Sequence, residues 1–291
     1  MIPQNDLVND EKIILCVNAR DEKNMNEWVA HHLLLGFDEI HICDHKSIIP
    51  LYGKFDKFNK ETDDNEETEK KQRVFVRRSE ADGPVKDFFI QHAVKQAIDS
   101  NAQWMLYLDA DEFLVFNSKV KTVKEFMKKY KDYDLVAVSW LMFGSNGHEK
   151  EPDGFIIDNY TKSQQKLCNH IKSFIRPDQF VAPNCHKCTI KNPTKAIHMN
   201  GTMLNPSSVL FENNINYSDS EAYIAHYYVQ SHETYFRRKL TLPRDDSGLQ
   251  GARAHRQEYY SLNYLNEVDN YSIPNKYSEK IKHYLRSIGE L

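Results

Sequence analysis

The sequence predicts an α/β protein: a mostly parallel sheet flanked by helices, one domain over residues 1–246, and a C-terminal helical extension packed on it over 247–291. Three observations point there. Short unbroken apolar runs, such as KIILCV at 12–17, have the composition of strands buried on both faces. Segments with apolar residues at helical spacing follow them, as with Met25, Trp28, Val29 and Leu33. The strand–helix–strand units have the length, about thirty residues, that a right-handed crossover between parallel strands needs.

The elements follow in order. Strand 12–17 ends in the polar stretch NARDEKN, and a helix then runs through MNEWVAHHLLLG, with Gly36 as its C-cap. Residues 39–43 (EIHIC) alternate as a second strand and end in Asp44. The acidic, lysine-rich stretch within 54–72 reads as a solvated loop. Strand 74–76 comes next, then a helix over 84–100 that opens on Pro84, a favoured first-turn residue. Two apolar runs within 104–116, a helix at 122–131 and a strand at 135–140 continue the alternation. Beyond them the chain is less regular: Gly, Asn and Pro turns, the stretch AYIAHYYVQSHETYFRRKL, and an amphipathic helix near 277–288. Neither a linker nor an internal repeat divides it.

Composition excludes several classes of function. A net charge of −4 and a pI near 6.4 lack the basic footprint of a nucleic-acid partner. No apolar stretch has the length of a membrane span, and MIPQNDLVNDEK has no signal-peptide pattern. Five cysteines, an odd number without regular spacing, suit a reducing compartment. The expectation is a soluble, cytoplasmic protein in which the sequons at Asn159, Asn200, Asn216 and Asn270 are incidental.

The chemistry concentrates at WMLYLDADEFLVF, residues 104–116. Asp109 and Asp111 interrupt an apolar run, where a carboxylate loses solvation and needs a cation. Two carboxylates one residue apart at a strand end can face one pocket if the chain bends between them. Oxygen ligands of this kind suit Mg²⁺ or Mn²⁺, which keeps positions open for phosphate and water. A solvated turn is the alternative reading of a bare D-x-D. Glu112 is expected to point away from Asp111 once the strand resumes.

Five blocks, in order from about residue 12 to about 246, give the pair a context. They are VNARDEKNMNEWVAHHLLLGFDEIHICDHKS, WMLYLDADEFLVF, SWLMFGSNGH, HIKSFIRPDQF and AHYYVQSHETYFRRK. On these blocks the chain resembles the GT-A nucleotide-sugar glycosyltransferases, within them the family-2-like and family-92-like group. The resemblance implies a GT-A, Rossmann-like fold. It also implies a metal-dependent, inverting, hexosyltransferase-like enzyme that moves a sugar from a nucleoside-diphosphate sugar to a hydroxyl of a glycan, glycoprotein or other acceptor. By the same resemblance the donor is a UDP-sugar and the cofactor Mn²⁺ or Mg²⁺. Asp109 and Asp111 would hold the metal, completed by His226; Arg20 and Glu22 would lie beside the nucleotide; Asp44 would contact base or ribose; Lys172 and Arg176 would neutralise phosphate. Gln230 departs from the group's pattern, which has lysine there; Arg237, Arg238 and Lys239 could compensate. Lacking a signal anchor, such an enzyme would fit bacterial or viral cytoplasmic glycosylation.

Other roles rest on chemistry and stay open between alternatives. An inverting enzyme needs a carboxylate to deprotonate the acceptor; Asp245 is the first candidate, with Asp246, Glu149 and Asp153 behind it. Trp140 and Phe143 are candidates for stacking the acceptor sugar. Cys168, His170, Cys185, His186 and Cys188 could instead form a structural zinc site, although their spacing matches no zinc module. Two other functions compete: a nucleotidyltransferase making a sugar nucleotide, and a non-catalytic binding relative. NARDEKN has no glycine for the phosphate loop of the former.

Overall fold

The structure, a computed structural model, describes residues 11–59, 72–117, 119–240, 242 and 256–291. The chain runs β1 (Ile13–Ala19), α1 (Met25–Leu34), β2 (Glu39–His45), β3 (Val74–Ser79), α2 (Lys86–Asp99), β4 (Trp104–Asp109) and β5 (Glu112–Phe116). It continues through α3 (Val123–Met127), β6 (Leu135–Met142), α4 (Ile156–Asn159), β7 (Lys162–Ser163), β8 (Ile171–Ile175), β9 (Phe180–Ala182) and β10 (Thr189–Ile190). It closes with β11 (Ala196–His198), β12 (Ala222–His226), α5 (His232–Leu240), α6 (Arg256–Ser261), β13 (Val268–Asp269) and α7 (Ser272–Ser287).

The main sheet has the order β3-β2-β1-β4-β8-β6-β12-β5, with β11 beside β6. Its first four strands are parallel and in the Rossmann order, so the chain leaves β1 in both directions across the sheet. The α/β class and the mostly parallel sheet agree with the sequence. Sequence periodicity missed the main-sheet strands β8, β11 and β12 and the short strands β7, β9, β10 and β13. β8 enters antiparallel between β4 and β6. Its amino end therefore sits at the carboxyl ends of its neighbours, which places Lys172 beside Asp109.

Alternation along β1 divides the core. Ile13, Leu15 and Val17 join Trp28, Phe37 and Phe113 under α1, α3 and α7; Ile14 and Cys16 join Phe89, Val94 and Met105 under α2. Gly36 ends α1 at φ +88°, a backbone conformation that side chains disfavour, and so performs the capping role its position predicts. The predicted helix at 122–131 is shorter: α3 stops at Met127 and the next turn is 3₁₀.

β5 lies at the sheet's end, with β12 on one side only. Side chains take the place of a further strand on the other side. Trp28 Nε1 donates to the Glu112 carbonyl at 2.7 Å and His31 Nε2 to the Leu114 carbonyl at 2.7 Å. His32 Nε2 accepts the Leu114 N–H at 3.3 Å while its Nδ1–H donates to the Trp28 carbonyl. From α7, Lys276 donates to the Phe116 carbonyl and Tyr277 Oη accepts its N–H. The edge's backbone groups are thus satisfied without strand pairing.

The C-terminal elements are joined to the rest. β13 pairs with β7, and α7 buries Ile273, Tyr277, Ile281 and Leu285 at helical spacing against α1 and α4. All five cysteines are free thiols. Among the described residues no helix is long and apolar enough to cross a membrane.

Candidate active site

A cleft of about 540 Å³ opens at the carboxyl ends of β1 and β4, where Asn18 and Asp109 stand side by side in register. Open α/β sheets bind ligands at such a reversal of strand order. From Asn18 and His45 the cleft crosses Asp109 and Asp111 to Trp140, His170 and His186.

The two aspartates face different cations. Asp109 Oδ2 accepts from Lys172 Nζ at 2.9 Å and Oδ1 accepts from Lys86 Nζ. Lys86 also donates to Asn18 Oδ1, which accepts the Tyr107 hydroxyl as well. On the other side Asp111 Oδ2 accepts from Arg238 Nη1 at 3.1 Å, with Lys239 Nζ 4.0 Å away; Oδ1 lies 3.6 Å from His226 Nε2. Arg238 Nη2 meets Glu22 Oε1 at 2.9 Å. The Asp111 carbonyl accepts the Tyr227 N–H at 2.9 Å, tying the bend to the end of β12. Glu112 turns back beneath the site. Its Oε2 accepts the Asp109 N–H at 2.8 Å and lies 3.1 Å from Lys172 Nζ, and among the described residues the buried Oε1 has no partner.

Burial raises carboxyl pKa values, and cations decide which groups escape. Burial alone would raise Asp109, but Lys172 and Lys86 hold it below its ordinary range. Arg238 and His226 overcome the same penalty at Asp111, which lies well below its range. At Glu112 burial wins over Lys172, and the carboxyl is pushed up to about 7. Burial would lower Lys172, but Asp109 and Glu112 raise it, so it stays cationic. The far wall is aromatic: His170 stacks on Trp140 at 5.1 Å, His226 meets the same indole edge-on at 4.3 Å, and burial lowers His170 and His186.

The structure gathers Arg20, Glu22, Asp109, Asp111, Trp140, Lys172 and His226 around one cleft. Other candidates lie elsewhere. Asp44 is fully buried, and its carboxylate accepts the Ser47 and Leu51 N–H groups and Arg78 Nη1, so it shapes its own loop and does not line the cleft. Arg176 stacks over Trp104 and binds Glu11 at the opposite end of β4. It follows Lys172 by four residues along an extended strand, which carries it about 13 Å away. Phe143 is wholly buried against Tyr227 and offers no face to a sugar. Glu149 is exposed beside His232 and Asp153 is exposed outside the cleft. Asp245 and Asp246 lie outside the described residues. Gln230 is buried and donates to the Tyr227 carbonyl; Arg238 and Lys239 supply the cations on that side.

Sequence reasoning missed Lys86. It opens α2, where no side chain caps the helix and the dipole disfavours a cation. A lysine placed against the dipole in the first turn, two residues after Pro84, is a legible sign that it serves an anion. Among the described residues no three His, Cys, Asp or Glu side chains are grouped to hold a metal. The cysteine–histidine cluster therefore does not form the zinc site considered above; within it Cys168 Sγ sits 3.3 Å from His170 Nδ1. Asp109, Asp111 and His226 are not grouped as a set of three either; Asp111 Oδ1 and His226 Nε2 lie 3.6 Å apart, against about 3 Å between adjacent ligands of an octahedral ion, so a closure of about half an ångström would bring that pair onto one metal.

The sequence has no significant match among curated proteins. Solved structures overlap it loosely. CMP:2-keto-3-deoxy-manno-octonic acid synthetase complexed with CTP is 12% identical over 57% of this chain and 75% of that one, with a TM-score of 0.30. HddC from Yersinia pseudotuberculosis is 11% identical over 94% and 99%, with a TM-score of 0.30. A glycosyltransferase involved in the glycosylation of the major capsid of PBCV-1 is 12% identical over 57% and 61%, with a TM-score of 0.25. Overlaps this loose say nothing about function. The model of glycosyltransferase family 92 matches residues 11–264. A match over that much of the chain makes it a glycosyltransferase: the chain belongs to glycosyltransferase family 92.

Proposed function

We propose that the chain transfers a sugar, with inversion, from a nucleoside-diphosphate sugar to a hydroxyl of a glycan, glycoprotein or other acceptor, and that the donor is a UDP-sugar. The observation that carries this reading is the ring of Lys86, Lys172, Arg238 and Lys239 about two aspartates at the carboxyl ends of β1 and β4. A diphosphate entering there exchanges carboxylate partners for phosphate oxygens, so no cation is left buried and uncompensated. The nucleoside lies toward Asn18, Arg20 and His45, and the sugar and acceptor lie toward Trp140 and His170.

Asp111 and His226 would hold Mn²⁺ or Mg²⁺, with diphosphate oxygens and water completing the shell; Asp109 stands behind them, oriented by its lysines. When bound, the metal supplies Lewis-acid stabilisation of the departing diphosphate. Lys86 and Lys172 place fixed positive charge where negative charge develops as the glycosidic bond breaks. Glu112 keeps Lys172 oriented throughout, because its own oxygen is fixed by the Asp109 N–H.

Calorimetric titration of UDP, with Mn²⁺ or with EDTA, into wild type and Asp111→Ala tests this reading. Metal-dependent binding that is lost in the variant is expected, followed by UDP release from a UDP-sugar. Failure of UDP, GDP and dTDP alike to bind with Mn²⁺ present refutes it.

A further inference from the structure

We infer that His186 is the general base that removes the proton from the acceptor hydroxyl, an assignment that rests on reading the cleft as a glycosyl-transfer site. Among the described residues, the cleft's carboxylates are committed elsewhere. Asp109, Asp111 and Glu22 each face a cation, and Glu112 is sealed beneath them. An ion-paired carboxylate on the diphosphate side has its lone pairs engaged by cations and stands on the wrong face of the sugar for inversion. The imidazoles remain.

Three of the four imidazoles are unsuited. His226 stands against Asp111 on the diphosphate side. His45 ends β2 at the nucleoside end, its Nε2 on the Ala81 carbonyl. His170 Nδ1 meets the Cys168 thiol, whose S–H can occupy that lone pair.

His186 differs. Its Nδ1–H donates to the Ile171 carbonyl at 3.1 Å, which fixes the tautomer and leaves the lone pair on Nε2. That Nε2 makes no hydrogen bond among the described residues and is not sealed from solvent. The ring lines the cleft and meets the Trp140 indole edge-on at 5.1 Å, on the side given to sugar and acceptor. Its backbone is pinned as well: Asn184 Oδ1 accepts the His186 N–H at 2.9 Å and Ser173 Oγ donates to its carbonyl at 2.8 Å. Burial, and then Lys172, lower the imidazole to about 4, so the ring is neutral at neutral pH and its Nε2 lone pair carries no proton. A tautomer fixed on one nitrogen with the other open is the arrangement that makes histidine a base.

In the reaction the acceptor oxygen bonds to the anomeric carbon as its proton passes to His186 Nε2. The bond from that carbon to the diphosphate oxygen breaks, and its electron pair leaves with the diphosphate toward Lys86 and Lys172. The imidazolium then returns the proton to water.

The experiment compares wild type with His186→Asn, whose amide can still donate to the Ile171 carbonyl but has no base at the Nε2 position. Release of UDP from UDP-glucose and UDP-galactose, and of GDP from GDP-mannose, is followed with water or added sugars as acceptor. The expected result is a kcat lower by about 10²–10⁴-fold with UDP affinity held to within about twofold, and turnover by His186→Gly partly restored by imidazole. His186→Gln provides the same comparison if the asparagine variant does not fold. Variants that bind UDP and turn over within about threefold of wild type overturn the assignment. So does loss of turnover in Asp245→Asn or Asp246→Asn while His186→Asn stays active. A wild type that binds UDP but releases it from no sugar nucleotide overturns the glycosyl-transfer reading first and this assignment with it.

Discussion

His31 should make the fold acid-sensitive in a way one substitution can isolate. Its ring is fully buried between α1 and β5, its Nε2–H donates to the Leu114 carbonyl, and burial lowers it from 6.5 to about 4. Between those two values the unfolded chain binds the proton more readily than the folded one. Stability is therefore complete above 6.5 and falls as the pH drops toward 4. At roughly 1.4 kcal/mol per unit, the loss reaches about 2–3 kcal/mol near pH 4.5. His31→Gln keeps a donor for the Leu114 carbonyl and removes the titration. Urea unfolding, followed by tryptophan fluorescence near pH 7.5 and near pH 4.5, should show wild type losing about 2–3 kcal/mol more than the variant. The carboxyls titrate in both proteins, so the difference belongs to His31 and to its coupling with the adjacent His32. Parallel pH dependences for the two would refute the reasoning. The effect reaches the cleft because β5 begins one residue after Asp111.

Further outcomes follow from other contacts. A Cβ at Gly144 would lie 2.9 Å from the Asn266 backbone nitrogen and closer still to its side chain. Gly144→Ala should therefore cost about 1–3 kcal/mol and lower Tm by about 2–10 °C in a thermal melt; an unchanged Tm would mean that Asn266 is not seated there. The two lysines on Asp109 should behave differently. Lys86→Met leaves Asp109 paired with Lys172 and should weaken UDP about 10–100-fold by titration, with little loss of stability. Lys172→Met strands Glu112 in the core and should destabilise the fold by about 3–5 kcal/mol. Equal effects of the two on denaturant midpoint would contradict that division.

Much of the parallel half of the sheet was legible because both faces of β1 and β4 are buried, and burial leaves unbroken apolar runs; β2 showed instead by alternation of apolar and polar residues. β8 was hidden for the opposite reason. IKSFI carries a lysine at its second position, and only the fold reveals that two carboxylates compensate it. Asp109 and Asp111 stood out as charges in an apolar context. Asp44 looked equally functional at its strand end, yet nothing local shows that the Ser47 and Leu51 amides will claim its oxygens. Arg176 could have been set apart from Lys172 by strand geometry alone, had the strand been seen. His186 leaves no trace in sequence, because its distinguishing feature is a carbonyl fifteen residues earlier that fixes which nitrogen bears hydrogen.

The side chains along β5 come from opposite ends of the chain: Trp28, His31 and His32 from near the start, Lys276 and Tyr277 from near the end. During synthesis the strand is made well before α7, so half of its outer edge must wait for that helix to emerge. Until then the Phe116 backbone is an open template for strands of neighbouring chains, an aggregation hazard that ends only when α7 docks. For this protein a premature stop before Ser272 would therefore uncover an adhesive edge, a different kind of defect from the loss of a peripheral helix.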